Sequence, residues 1–352
     1  MSRFAALVAA ALGATALSPV FAADWANEPG FFRGSHNSFE PKDWTELGDQ
    51  QDSIGFEFGV RYYYSWGAQN FTISGGEATT QDVTQAVEVH ARFDDWQTNT
   101  FLDAFGTYAF SMRGTYDSGG FASGTVDDGK MAHLGADFGW HAFGDNDNGF
   151  GPQLGYLYWN DSPRTDRINF TTATSGDDLQ YDPNTGQIFF TGDSSDTNID
   201  IHAVKLGVAG RATFGDGLFD ITAEANAIPY AYVTGVLGNH SVPGFATPLG
   251  NPGFVKTSET NATGWGYGAS GEIMVGVSPM ENFVFRVGGR AMYLQGTYDA
   301  TYTAAQVSDP TDSDADGIYD TAPVFVNQGY IETRNPFSMF RYGLLAEATY
   351  KF

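Results

Sequence analysis

The chain has 352 residues, no cysteine and a formal charge of −25, from 42 acids against 17 bases. That acidity argues against nucleic acid or an anionic membrane surface as partner, and the lack of cysteine excludes disulfide, thiolate and cysteine–metal chemistry. The 44 glycines, the 15% aromatic content and a mean hydropathy of −0.26 fit a β-rich chain whose hydrophobicity is hidden in alternation.

Met1-Ser2-Arg3 precedes an apolar run from Phe4 to Leu17, followed by Ser18-Pro19-Val20-Phe21-Ala22-Ala23. A charged start, a short apolar stretch and small residues at Val20 and Ala22 predict a signal peptide over 1–22, cleaved before Ala23. About 14 apolar residues are too few for a bilayer-spanning helix. Losing Arg3 takes the formal charge from −25 to −26. Residues 23–51, with Pro29, Gly30, Gly34 and Pro41, read as an irregular periplasmic segment, and 52–352 as one barrel domain. No other stretch is apolar for long enough to span a bilayer as a helix. Membrane crossing must therefore use strands, since only helices and closed barrels satisfy the backbone in hydrocarbon.

Ten runs alternate with a period of two, the mark of strands. They cover 54–65, 83–93, 102–116, 132–142, 150–159, 202–214, 219–233, 264–277, 283–297 and 340–352. In each, one face is apolar and aromatic while the other is polar, small or charged. The first points Phe56, Phe58, Val60 and Tyr62 one way and Gly55, Glu57, Gly59 and Arg61 the other. The last sets Phe340, Tyr342, Leu344, Ala346, Ala348, Tyr350 and Phe352 against Arg341, Glu347 and Lys351.

Connections alternate as well. Those at 94–100, 144–149, 215–218 and 278–282 are short and rich in turn residues, whereas 66–82, 117–131, 160–201, 234–263 and 298–336 are long. The expected fold is all-β, a ten-stranded antiparallel transmembrane β-barrel with short periplasmic turns and long extracellular loops. Its expected location is the outer membrane of a Gram-negative bacterium.

Ten strands leave too narrow a lumen for a wide aqueous channel, so inward side chains must fill it. The inward acids are Glu57, Glu88, Asp103, Asp137, Asp220, Glu224, Glu272 and Glu347. The inward bases are Arg61, Arg92, Arg113, Lys205, Arg211, Arg286, Arg290, Arg341 and Lys351. Eight acids against nine bases make the lumen nearly neutral and place the excess negative charge in loops, turns and the N-terminal segment. Buried charges must be paired; hairpin geometry suggests Arg92 with Asp103, and Arg211 with Asp220 or Glu224. Inward glycines, among them Gly59, Gly135, Gly139 and Gly288, make room for long arginines or for a file of water.

Three motifs offer chemistry. Asp312-Ser313-Asp314-Ala315-Asp316-Gly317-Ile318-Tyr319-Asp320 spaces its carboxylates as calcium loops do, making Asp312, Asp314, Asp316 and Asp320 candidate calcium ligands. Pro323 stands where an EF-hand has its bidentate Glu. His133, Asp137 and His141 share one face at four-residue steps of roughly 13 Å, too far apart to close on one metal. Asp127, Asp128 and His240 are the nearest material for a water-activating protease site, but no acid lies within two residues of His240 to orient it.

A chain ending on an aromatic after such a strand resembles outer-membrane barrels, whose assembly machinery reads the terminal Phe, here Phe352. Ten strands and five outer loops resemble omptins, outer-membrane proteases that use Asp-Asp and Asp-His couples. Gly59-Val60-Arg61-Tyr62-Tyr63-Tyr64-Ser65, Gly264-Trp265-Gly266-Tyr267-Gly268, Gly288-Gly289-Arg290-Ala291-Met292-Tyr293 and the closing Arg341-Tyr342-Gly343 strand resemble alphaproteobacterial barrels of the opacity or surface-antigen type. That resemblance implies architecture and location and carries no active site. The expectation is a non-enzymatic surface protein with a charge-plugged lumen, contacting outer-membrane lipid, lipopolysaccharide and a surface ligand. A narrow passive pore and an omptin-like protease are the alternatives.

Overall fold

The computed structural model describes residues 54–73, 76–118, 123–165, 168–170, 179–190, 193–238, 254–280, 282–308, 311–322 and 324–352. The expected signal peptide, the N-terminal segment, His240 and Pro323 lie outside these residues. Ten long strands dominate: β1 Ile54–Ile73, β2 Gly76–Asp95, β3 Thr100–Ser118, β4 Lys130–Trp140 and β5 Gly149–Ser162 in the first half. The second half supplies β6 Asn198–Phe214, β7 Phe219–Val236, β8 Asn261–Met280, β9 Phe283–Val307 and β10 Phe325–Lys351. Each pairs antiparallel with its chain neighbours, and β1 pairs with β10, so the sheet closes on itself and has no edge along the wall.

Alternation sorts the side chains as the sequence reading expects. Outward Val60, Val89, Leu154, Val208, Ile273, Val287 and Leu344 are exposed. Aromatic contacts collect at two levels. At the turn end, Phe56 meets Phe93 at 4.6 Å and Phe352 at 5.2 Å, and Phe143 meets Phe150 at 4.9 Å. Higher up, Trp66 lies 5.0 Å from Tyr64 and 5.4 Å from Tyr342. Two aromatic belts around an apolar band are the outer surface of a membrane barrel.

Two expectations need correction. Residues 66–82 are not a long loop, because β1 and β2 stay paired up to Ile73 and Gly76, leaving only 74–75 between them. The upper parts of these strands are polar on both faces (Gln69, Asn70, Thr79, Thr80), so no amphipathic signal marks them as strand. Secondly, Arg113 is exposed rather than inward. Gln85 pairs with Ser111 while Ala86 pairs with Ala109, so Phe110 is an extra residue in β3. This bulge reverses the facing of everything after it, since side-chain direction has a period of two. Met112 turns fully inward, and Phe110 and Arg113 turn out. The chain has no native cysteine, so a membrane-impermeant maleimide reports the facing directly: R113C in the folded barrel is expected to label and M112C to stay unreactive.

Candidate functional site

The lumen is layered. Reading β1 and β10 together from the turn end, Glu57, Arg61 and Glu347 come first, then Tyr63 and Leu345, then Ser65 and Arg341, then Phe71, Met339 and Phe337. Charge, apolar filling, a polar clamp and a second apolar layer follow one another.

The basal charge layer is a cross-lumen lattice. Arg61 reaches Glu88 at 3.0 Å, Glu272 at 3.3 Å and also Glu347. Arg286 joins Asp220 and Glu347 at 2.7 Å each and Glu57 at 3.1 Å. Arg290 binds Glu88 at 2.7 Å and Glu272 at 2.6 Å. The hairpin pairings expected from sequence are secondary contacts. Arg92 sits 2.9 Å from Asp94 and 3.9 Å from Asp103, which pairs instead with His90 at 2.9 Å. Arg211 takes Glu57 at 2.6 Å and lies 3.7 Å from Asp220. Arg290 keeps its hairpin neighbour Glu272 and Arg92 its own strand's Asp94, whereas Arg211 and Arg286 reach carboxylates beyond the adjacent strand, where the guanidinium fork serves more than one of them.

Arg341 builds the clamp. It is 1% exposed, donates to Asp82 and Asp161 at 2.9 Å each, and also to Ser65 and Thr84. A Cβ on Gly67 would run into both Asp82 and Arg341, so this position must be glycine for the clamp to close. Likewise Lys205 crosses Gly155 to reach Asp137 at 2.7 Å, and a Cβ on Gly155 would overlap the Asp137 carboxylate. G155V is expected to push that pair apart and cost about 1–3 kcal/mol by overpacking, read as a lower midpoint in urea unfolding. Gly135 and Gly139, expected to make room for arginines or a file of water, instead host the Phe105 and Phe101 rings. Arg290 and Arg92 then stack over those rings at 4.4 Å and 4.1 Å.

The lumen is not neutral. Asp82, Asp94 and Asp161 join the eight expected acids, all three buried, and Arg113 leaves the bases. Among the described residues, eleven inward carboxylates therefore face nine bases, counting Lys256 near the loop end and Lys351, which is only partly buried. Asp82 and Asp161 lay in stretches read as loop, although the facing parity of Glu88 and Gln153, carried outward along each strand, points both inward.

The apolar filling touches every strand. One cluster includes Phe71, Trp159, Ile199, Ile201, Val233, Leu294, Tyr298 and Phe337. The other joins Tyr63, Ala86, Met112, Met131, Met274 and Leu345. A cavity of about 50 Å³ remains among Arg61, Asp103, Asp137, Gln153, Glu224 and their neighbours.

The other candidates come apart. His133 packs its ring 5.3 Å from that of Trp159, while His141 bonds Asn146 at 3.0 Å near the turn end, so the two histidines and Asp137 do separate jobs. Asp127 accepts a hydrogen bond from Thr125, and both Asp127 and Asp128 are exposed. In the last loop, Asp312, Asp314 and Asp320 bring carboxylate oxygens within 4.8 Å of one another. Asp316 is not among them and accepts from Ile318 N at 2.8 Å. Asp312 accepts from Ala315 N and Gly317 N, and the Ser313 hydroxyl and amide hold the Asp320 carboxyl below its usual range. Several of those oxygens thus accept hydrogen bonds from the turn's own backbone and from Ser313.

No family model matches the chain, and no curated protein matches its sequence. Among solved structures, the outer membrane protease OmpT from Escherichia coli aligns at a TM-score of 0.51 and 9% identity, over 86% of this chain and 97% of that one. The chain has the fold of an outer-membrane β-barrel. OprG from Pseudomonas aeruginosa aligns over 85% of this chain and 96% of that one, at 12% identity and a TM-score of 0.28. The translocator domain of autotransporter NalP from Neisseria meningitidis covers 88% and 91%, at 12% identity and 0.30. At these identities the likeness extends to the fold and no further.

Proposed function

We propose that this protein is a non-enzymatic outer-membrane barrel with a sealed lumen, presenting acidic loops to the outside of a Gram-negative cell. The observation that carries the reading is the filling of the lumen: a salt-bridge lattice, two apolar layers and the Arg341 clamp in series. Water and ions cross a barrel only along a continuous polar path, and buried side chains from all ten strands interrupt it. The aromatic belts support insertion in lipid, with the short turns and Phe352 in the periplasm, where assembly machinery reads a terminal aromatic. Export by the 1–22 leader belongs to the same reading.

Exposed Asp117, Asp127, Asp128, Asp314, Asp316 and Asp320 at the loop end outnumber exposed Arg113, Lys130, Arg164 and Arg334. The loop surface therefore suits cationic ligands, and lipopolysaccharide would be met through bridging cations. Planar-bilayer recording of the refolded protein tests the sealed lumen. No conductance steps are expected, and regular single-channel steps would replace this reading with that of a narrow passive pore.

A further inference from the structure

We propose that the lumen cavity between Asp137, Gln153 and Glu224 is a binding site for one monovalent cation of sodium size. The three residues reach it from β4, β5 and β7. Asp137 is 2% exposed; its Oδ2 takes Lys205, while its Oδ1 has no hydrogen-bond partner. Gln153, 4% exposed, donates to Glu224 at 3.2 Å and to Asn226 at 2.7 Å, leaving its Oε1 unpartnered. Glu224 has that amide contact and, among the described residues, no ion-pair partner.

Water can satisfy these hydrogen bonds, but it cannot balance the charge. With both carboxyls ionised, Asp137 and Glu224 carry two negative charges and Lys205 returns one. The other charged groups lining the cavity, five arginines among them, are already engaged in the basal lattice: Asp103 with His90 and Arg92, Glu272 with Arg61 and Arg290, and Glu57 with Arg211 and Arg286. One net negative charge thus remains in a buried site, where an uncompensated charge is strongly unfavourable. Three oxygen donors and a single excess charge match a hard monovalent cation, and a divalent one would overcompensate. A cavity of about 50 Å³ has room for such an ion and one or two waters. Those waters would meet Arg211 Nε, an unpartnered donor, and His90 Nδ1, also unpartnered, both on residues that line the same cavity.

The test uses the full folded chain in detergent, at fixed ionic strength, with sodium chloride exchanged for N-methylglucamine chloride. Mass action predicts that, above the dissociation constant, each tenfold rise in sodium raises the folding equilibrium constant about tenfold. E224Q removes the excess charge, and its stability is expected to be the same in both salts. Identical wild-type unfolding in the two salts would overturn the proposal, because a carboxyl neutralised by a proton gives that result. Crystals of the wild type grown with thallium(I) give a second readout that does not depend on the variant folding. An anomalous peak between Asp137 and Gln153 is expected, and its absence would equally overturn the site.

Discussion

R341A is expected to destabilise the barrel by about 3–5 kcal/mol, the usual cost of leaving buried carboxylates without their partner. The effect is large because Arg341 is the only base that Asp82 and Asp161 contact among the described ion pairs, and all three are almost fully buried. Urea titration of the folded protein in lipid or detergent reads it. The informative control is R341M combined with D82L and D161L. Replacing a whole buried ionic group by apolar side chains of similar size is often neutral or stabilising, so the triple variant is expected to recover most of the loss. If R341A unfolds like the wild type, water reaches the clamp and this part of the lumen is not closed. If the triple variant is as weak as R341A, the clamp contributes by its shape around Gly67 and not by charge pairing.

What the sequence disclosed, and what it did not, follows from how a strand writes itself. Where one face meets lipid and the other a charged lumen, as from Glu57 to Tyr64 or from Phe340 to Phe352, alternation is unbroken and both facing and strand identity were legible. Alternation cannot report an inserted residue. Phe110 is apolar and exposed, as an outward residue should be, and nothing local shows that the parity changes after it; Arg113 was misplaced for that reason. A similar irregularity in β7 carried a signal that the reading of 219–233 as one run did not use: Pro229 lacks an N–H and falls where the register with both neighbours slips. The clamp was hidden differently. Asp82 and Asp161 sit where strands rise above the apolar band and both faces turn polar, so the pattern fades while the strand continues. The glycines were half legible: their inward facing was clear, but whether a gap admits a guanidinium, a ring or a carboxylate depends on the strand opposite. The cation balance inherited each of these misplacements, which is why a lumen that reads as neutral proves acidic.

The layering also predicts that no single breach opens the barrel. Replacing Arg61, Arg290, Glu88 and Glu272 together by serine empties the middle of the basal lattice while removing two bases and two acids, so no net charge is stranded. W159A with F337A hollows the upper apolar layer instead, where Trp159 is 1% exposed and Phe337 stacks 5.8 Å from Phe71. Each set alone is expected to remain silent in planar bilayers, because the layer left intact still blocks a continuous water path; dry apolar constrictions stop ions even at apertures that pass water. Combined, the two sets are expected to give small, resolvable steps, with cation preference set by the remaining acids. Retention of β-sheet circular dichroism separates an opened barrel from an unfolded one. Steps from the serine variant alone would mean that the upper apolar layer does not seal, and that the lattice by itself is the plug. Silence of the combined variant with its fold intact would place the decisive barrier in the two layers neither set touches, the Tyr63 and Leu345 filling and the Arg341 clamp.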